Sequence, residues 1–289
     1  MEVRHLIAGL PRSGKTTFLA AFWHLMNAGE VSTKLELDRL TGEHQYLNTI
    51  AESWRRCEEV LHTSLQNEKK SLSIHVCNPS TNHKATLVFP DLSGESFKRQ
   101  VELRRCRHSY LDACDASDGL LLFVTADHTK DDLSVLDVTS MTNGNEANSE
   151  ENSTQVVEWS PELIPEQVQL VELLQFLQCP PFQRRRRRLA VIVSAWDVQT
   201  NPKLTPEDWV RRELPFLHQF LSTNGASFEF QIYGVSAQGG SVRSPEVREQ
   251  LLRQTASERI ECIGPHTGPH DLTSPILWLM EEGADSVQN

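Results

Sequence analysis

Gly9-Leu10-Pro11-Arg12-Ser13-Gly14-Lys15-Thr16, with Thr17 behind it, is the stretch that decides the reading of this chain. It is a complete G-x-x-x-x-G-K-[ST] pattern. Backbone N–H groups of such a loop turn inward around a phosphate chain, the lysine reaches the β and γ phosphates, and the threonine hydroxyl ligates Mg²⁺. Glycine is needed where a side chain would clash or where φ is positive. Arg4 to Ala8, just before, is a short apolar strand. Lys15 to Met26, just after, carries Phe18, Phe22, Leu25 and Met26 on one stripe, which predicts a helix. Strand, glycine loop and helix N-terminus together make an anion site, because the helix dipole adds to the field of the loop amides.

Outward from this loop, strands and helices alternate. Tyr46, Leu47, Ile50, Trp54, Cys57 and Leu61 recur at helical spacing, so Gly42 to Leu61 is expected to be a helix. Ser71 to Cys77 and Ala85 to Phe89 read as paired strands around the turn Asn78-Pro79-Ser80-Thr81-Asn82. Leu120 to Thr125 and Leu189 to Ser194 are continuous apolar runs, the pattern of central strands covered on both faces. Helices are expected over Pro165–Gln178, from Thr205-Pro206 with a kink or restart at Pro215, and from Ser274 to near Gly283; Phe228 to Val235 is a last strand. Residues 140–155 are polar and acidic, unable to contribute a core, and are expected to be disordered. Such alternation implies a parallel α/β sheet with right-handed crossovers.

Composition narrows the function. The chain has 289 residues and a net charge of −11, which argues against a nucleic-acid partner, whose backbone needs a basic footprint. No apolar run approaches the ~18 residues of a transmembrane span. A first strand beginning almost at Met1 is expected to leave no room for a signal peptide. The six cysteines are scattered without a C-x-x-C pair, the usage of a reduced cytoplasmic protein. The one basic run, Arg184 to Arg188, leads straight into a buried strand and reads as a solvated turn opposing the acidic insert.

Two further motifs follow strands. Leu87-Val88-Phe89-Pro90 runs into Asp91-Leu92-Ser93-Gly94, where an aspartate can hold the Mg²⁺ water shell and the glycine can give an N–H to a γ-phosphate. In Ser194-Ala195-Trp196-Asp197 the carboxylate can accept both N1–H and the 2-amino group of guanine. In Gly234-Val235-Ser236-Ala237 a small-residue loop can offer N–H to guanine O6. Adenine has no donors at those two positions.

With these residues in hand the sequence resembles the Ras-like, translation-factor-related GTPases. More narrowly it resembles the bacterial double-GTPase type of predicted conflict and defence gene clusters. The narrower likeness rests on Leu40-Thr41-Gly42-Glu43, Tyr46-Leu47, Trp54, His62-Thr63-Ser64 and Phe89 to Phe97. It implies an α/β P-loop NTPase fold, a Ras-like three-layer sandwich with a mixed, mostly parallel six-stranded sheet. Residues 1–289 form one domain in that reading, with a helical insert at about 42–62 and a disordered acidic insert at about 140–156. Carried over, Gly9 to Thr17 (with Pro11, Ser13, Gly14, Lys15 and Thr16) holds the phosphates. Thr16, Asp91 and Thr63 serve Mg²⁺, with Ser64 and Thr41 as rivals for the switch threonine. Gly94 meets the γ-phosphate, Asp197 reads guanine, and Ser236-Ala237 supports it. The implied activity is Mg²⁺-dependent hydrolysis of GTP to GDP by a switch that serves a protein partner, a second GTPase or an effector.

The departures are informative. Ser194-Ala195-Trp196-Asp197 replaces the usual N-K-x-D. The missing asparagine weakens the tie from base loop to phosphate loop, and Trp196 is the candidate to stack on the base in place of the lysine stem. Glu95 stands where a water-positioning glutamine is expected; a carboxylate there can take the water's proton. Arg12 occupies the point where guanylate-binding proteins carry an arginine finger completed by a facing G domain, which implies a homodimer. An ATP-dependent ATPase or kinase, and an adaptor with negligible hydrolysis, are the competing readings.

Overall fold

The computed structural model describes residues 2–39, 44–60, 72–90, 94–127, 164–199, 201 and 203–281. All its strands belong to one eight-stranded sheet of order β2-β3-β4-β1-β5-β6-β7-β8. In chain order the elements are β1 (Glu2–Gly9), α1 (Lys15–Ala28), β2 (Glu36–Arg39), α2 (His44–Arg55), β3 (Leu72–Cys77), β4 (Lys84–Phe89), α3 (Glu95–Leu103), α4 (His108–Asp115) and β5 (Gly119–Thr125). Then come α5 (Glu166–Phe176), β6 (Arg187–Ser194), α6 (Pro206–Glu213), α7 (Pro215–Thr223), β7 (Phe228–Ser236), α8 (Pro245–Leu252), β8 (Glu261–Ile263) and α9 (Ser274–Met280).

Strands β4, β1, β5, β6 and β7 are mutually parallel, the five expected, and β3 lies antiparallel to β4. The expected count of six is corrected to eight, because β2 pairs with β3 at one edge and β8 with β7 at the other. Both additions are short, and their sequences show no alternation of their own. Pairing with a formed neighbour, Leu37 opposite Val76 and Cys262 opposite Val235, makes them strands.

Residues of the parallel strands alternate between two cores, as strand geometry requires. Ile7, Leu121, Phe123, Ile192 and Tyr233 pack on the side of α1, α2 and α9. Leu6, Ala8, Leu122, Val191 and Ile232 pack on the side of α3 to α7. The unbroken apolar runs of β5 and β6 follow from burial on both faces.

Helix α2 ends at Arg55, before the expected Leu61. Cys57 takes a left-handed φ of 51°, and Glu58 N–H donates back to Ser53 O at 2.9 Å while Cys57 N–H meets Trp54 O at 3.0 Å. This is a Schellman closure with cysteine in the place glycine normally fills. Thr205 caps α6 by accepting from Asp208 N–H, and Pro215 restarts the chain as α7 after Leu214 leaves helical geometry. The expected disordered insert lies outside the described residues.

The arginine run is not a solvated turn. Arg185 donates to Asp115 O at 2.9 Å and to the Cys114 and Ser117 carbonyls, closing α4. Arg187, 3% exposed, donates to Leu177 O and Gln183 O at 3.2 Å each, closing α5. Arg188 donates to Trp278 O at 2.9 Å and Glu281 O at 2.6 Å, closing α9. Cationic donors at the negative ends of three helices meet carbonyls of the last turns and complement the helix dipoles. Arg188 also pairs with Glu229, as does Arg186.

Candidate nucleotide-binding site

The loop between β1 and α1 lies at the C-terminal edge of the parallel strands, where an open α/β sheet offers its crevice. Its shape depends on close approach. A Cβ on Gly9 would stand 2.6 Å from Ser13 Oγ and 2.8 Å from Phe123 O; one on Gly14, at φ +87°, would meet Ser194 Oγ at 2.5 Å. Gly14 leads into α1, whose first turn holds no acidic residue and whose N-terminal amides receive no side-chain cap. Those amides suit an anion. Lys15 is buried, and its ammonium donates to Gly9 O at 2.8 Å, Leu10 O at 2.9 Å and Ser13 Oγ at 3.2 Å. Thr16 is buried beside it, and Pro11 and Thr17 are half-buried.

Gly94 brings the segment after β4 onto this loop. At φ +84°, a Cβ there would lie 2.6 Å from both Leu10 C and Pro11 N. Only a glycine fits against backbone so close. Glu95 opens α3 immediately after it, exposed. Asp91, Thr63, Ser64 and Thr41 lie outside the described residues. Arg12 is exposed in the left-handed region at φ 63°, and among the described residues its guanidinium makes no hydrogen bond or ion pair. A non-glycine residue held there costs about 1 kcal/mol or more, a cost that recurs at functional positions.

The loops after β6 and β7 complete the site. Asp197 stands exposed in a short 3-10 turn, Trp196–Val198. Ser236, 1% exposed at the end of β7, donates its hydroxyl to Asp197 Oδ1 at 2.6 Å and accepts Gly239 N–H at 3.1 Å. Ala237 follows, nearly buried. Two expectations change here. Ser194 Oγ donates to Ser13 O at 3.0 Å across the buried gap between base loop and phosphate loop, so the tie survives without asparagine. Trp196 does not cover a base: its ring is buried, lies edge-on to Trp209 and presses on Gly234, where a Cβ would meet it at 2.6 Å. Trp54 was legible as part of a helical stripe and as a marker of resemblance; its indole N–H in fact donates to Ala237 O at 2.9 Å.

The arrangement therefore offers amides and an ammonium for phosphate at one end and a braced carboxylate for a base at the other. The model of the Double-GTPase 1 family matches residues 6–279, nearly the whole chain. The chain belongs to the Double-GTPase 1 family. As a member of that family it is a GTP-binding protein of the GTPase class. No curated protein matches the Double-GTPase 1 chain by sequence. Among solved structures it is similar to the bacterial selenocysteine-specific elongation factor EF-Sec, at 14% identity and a TM-score of 0.37 over 88% of this chain and 29% of that one. It is similar also to the GTP-bound GTPase-like domain of S. cerevisiae Ski7, at 13% identity and a TM-score of 0.40 over 89% and 52%. The small GTPase Arl6 of Trypanosoma brucei gives 12% identity and a TM-score of 0.35 over 88% and 100%. The Double-GTPase 1 chain thus spans under a third of the EF-Sec chain and about half of the Ski7 GTPase-like domain. Among the described residues no helix is long and apolar enough to cross a membrane, and no group of three His, Cys, Asp or Glu could hold a metal ion.

Proposed function

We propose that this protein binds Mg²⁺–GTP, hydrolyses it to GDP and acts as a nucleotide-dependent switch for a protein partner. The observation that supports guanine nucleotide most directly is the chain of contacts Ser13–Ser194 and Asp197–Ser236. It joins the loops after β1, β6 and β7, so one rigid frame sets the distance from phosphates to base. Asp197 has one carboxylate oxygen braced by Ser236 and faces solvent, as a reader of the guanine N1–H and 2-amino donors must.

Lys15 and the loop amides are placed to stabilise charge on the β–γ bridge, which is the electrostatic part of phosphoryl transfer. The hydroxyl of Thr16 with Asp91 and Thr63 would hold Mg²⁺; hydroxyl and carboxylate oxygens are the donors a hard cation takes. When bound, Mg²⁺ neutralises charge on the β and γ oxygens. Glu95, at the first turn of α3 next to Gly94, would accept a proton from the attacking water in this reading. Arg12 is the finger in this reading, oriented by a facing G domain. Loss of the γ-phosphate would free the segments of Thr63 and Gly94 for a partner to sense. The free cysteines fit a reducing cytoplasm, and the family resemblance extends the proposal to bacterial defence.

The test is Asp197→Asn. Its amide NH₂ can meet the 2-oxo group of xanthine, where guanine presents a second donor. Competition binding is expected to show preference moving from GTP toward XTP; an unchanged ratio of the two affinities refutes Asp197 as base reader and favours an ATP-binding protein.

A further inference from the structure

The base loop is gripped from a direction the binding site itself does not supply. Trp54, fully buried in the last turn of α2, donates its indole N–H to Ala237 O at 2.9 Å across 183 residues of sequence. Gln238 answers by donating its side-chain amide to Trp54 O at 3.3 Å and to Cys57 Sγ at 3.5 Å. The end of α2 is in turn immobilised by two arginines. Arg259, 4% exposed, lies 4.8 Å over the Trp54 ring and donates to Arg55 O at 3.2 Å and to Cys57 Sγ. Arg248 donates to Cys57 O at 2.9 Å and Arg56 O at 3.3 Å. At its other end α2 is tied to α1, where Trp23 Nε1–H meets Asn48 Oδ1 at 2.9 Å. Gly239 closes the loop, with a Cβ position 2.6 Å from Arg259 O that only glycine leaves open.

The consequence falls on one residue. Ala237 has the anchored Ser236 on its N-terminal side and its own carbonyl fixed by Trp54, so its φ and ψ are held from both sides. We propose that Trp54 and Gln238 are positioning residues for base recognition, through which α2 fixes the Ala237 N–H where guanine O6 arrives. This rests on the reading of Ser236-Ala237 as the base loop. Neither side chain touches nucleotide in this account. They act by preorganisation, which lowers the ordering cost that binding would otherwise meet.

Among the described residues the hydrogen bonds of α2's last turn reach the base loop and none reaches the phosphate loop, so the effect should be confined to the base. Trp54→Phe removes the donor and keeps an aromatic ring under Arg259; Gln238→Ala removes the second contact from a half-buried position and does not depend on the core. Affinities for GDP and for inorganic tripolyphosphate, each measured by displacement of a fluorescent GTP analogue, separate base from phosphate. Each folded variant is expected to lose at least fivefold in GDP affinity while tripolyphosphate stays within twofold of wild type. Should Trp54→Phe fail to fold, Gln238→Ala decides. A folded variant that keeps GDP within twofold, or loses both ligands in parallel, overturns the role of α2. A wild-type protein that holds GDP and ADP equally overturns the base-site reading itself. A guanine preference in the wild type that survives both substitutions overturns only the inference.

Discussion

Replacing Ser194 by alanine tests whether one hydroxyl has taken over the tie between base loop and phosphate loop. Ser194 Oγ donates to Ser13 O at 3.0 Å, and both residues are buried, at 7% and 1% exposure. The substitution removes the donor and leaves the Ser13 carbonyl without it, where water does not readily reach. Such a loss is worth about 1 to 3 kcal/mol, the upper part arising from the orphaned acceptor. Little packing is lost, since alanine keeps the Cβ that Gly14 abuts. The lower half of that range is therefore expected, about 1–2 kcal/mol. If it appears in binding, the loop must be ordered by the ligand and affinity falls about 5- to 30-fold. If it appears in folding, melting drops by roughly 2–4 °C for each kcal/mol. Titration calorimetry with GTP and with tripolyphosphate, beside thermal melts of the free protein, reads both. Both ligands should weaken together, because Asp197 and Ser236 are unchanged and preference for GTP over ATP remains. Unchanged melting with unchanged affinity refutes the reasoning: Ser194 would then be a bystander and the two loops independent.

Lys15→Ala is expected to abolish triphosphate binding while the chain still folds, since the ammonium's hydrogen bonds to described residues lie within its own loop; wild-type binding by a folded variant contradicts the phosphate assignment. Arg12→Ala should slow hydrolysis at least tenfold, about 1.4 kcal/mol of barrier, with GTP affinity nearly unchanged and with wild-type turnover rising with protein concentration. Equal, concentration-independent rates in the two proteins return Arg12 to the surface. His5, fully buried in β1 with neither ring nitrogen paired among the described residues, has its pKa pulled by burial from 6.5 down to about 4. Below pH 6.5 the unfolded chain takes up a proton that the folded chain refuses. Stability is thus full above about pH 6.5 and lost as pH falls toward 4, at about 1.4 kcal/mol per pH unit, or about 3 kcal/mol in all. Urea titrations from pH 7 to 4.5 should show that slope, and His5→Leu should flatten it; an equal slope in both proteins assigns the acid sensitivity elsewhere.

The phosphate loop was legible because its determinants are local: glycines, lysine and threonine at fixed spacing between a strand and a helix. Strands β5 and β6 were legible because burial on both faces writes an unbroken apolar run. Strands β2 and β8 were not, since four and three residues carry no periodicity and owe their geometry to the strand beside them. The run Arg184 to Arg188 misled for a different reason. Charge suggested solvent, while the partners of Arg185, Arg187 and Arg188 are carbonyls at helix ends, those of Arg185 and Arg188 far away in sequence. Ser194 read as a loss because the tie was looked for in an amide; the hydroxyl reaches because Gly14 lets α1 approach so closely. Trp196, judged by its neighbours in sequence, was placed on the base, whereas the missing Cβ of Gly234 opens a slot for its ring inside the protein. These are contacts between distant segments, and no local pattern records them.

The most direct test of the account is to incubate the protein with equimolar GTP and ATP in the presence of Mg²⁺ and to resolve the nucleotides by ion-exchange chromatography over time. GDP and inorganic phosphate should accumulate while ATP remains intact, and Lys15→Ala protein in parallel should consume neither. ADP appearing as fast as GDP, or GTP consumed equally by the Lys15→Ala protein, would contradict a guanine-specific GTPase built on this loop.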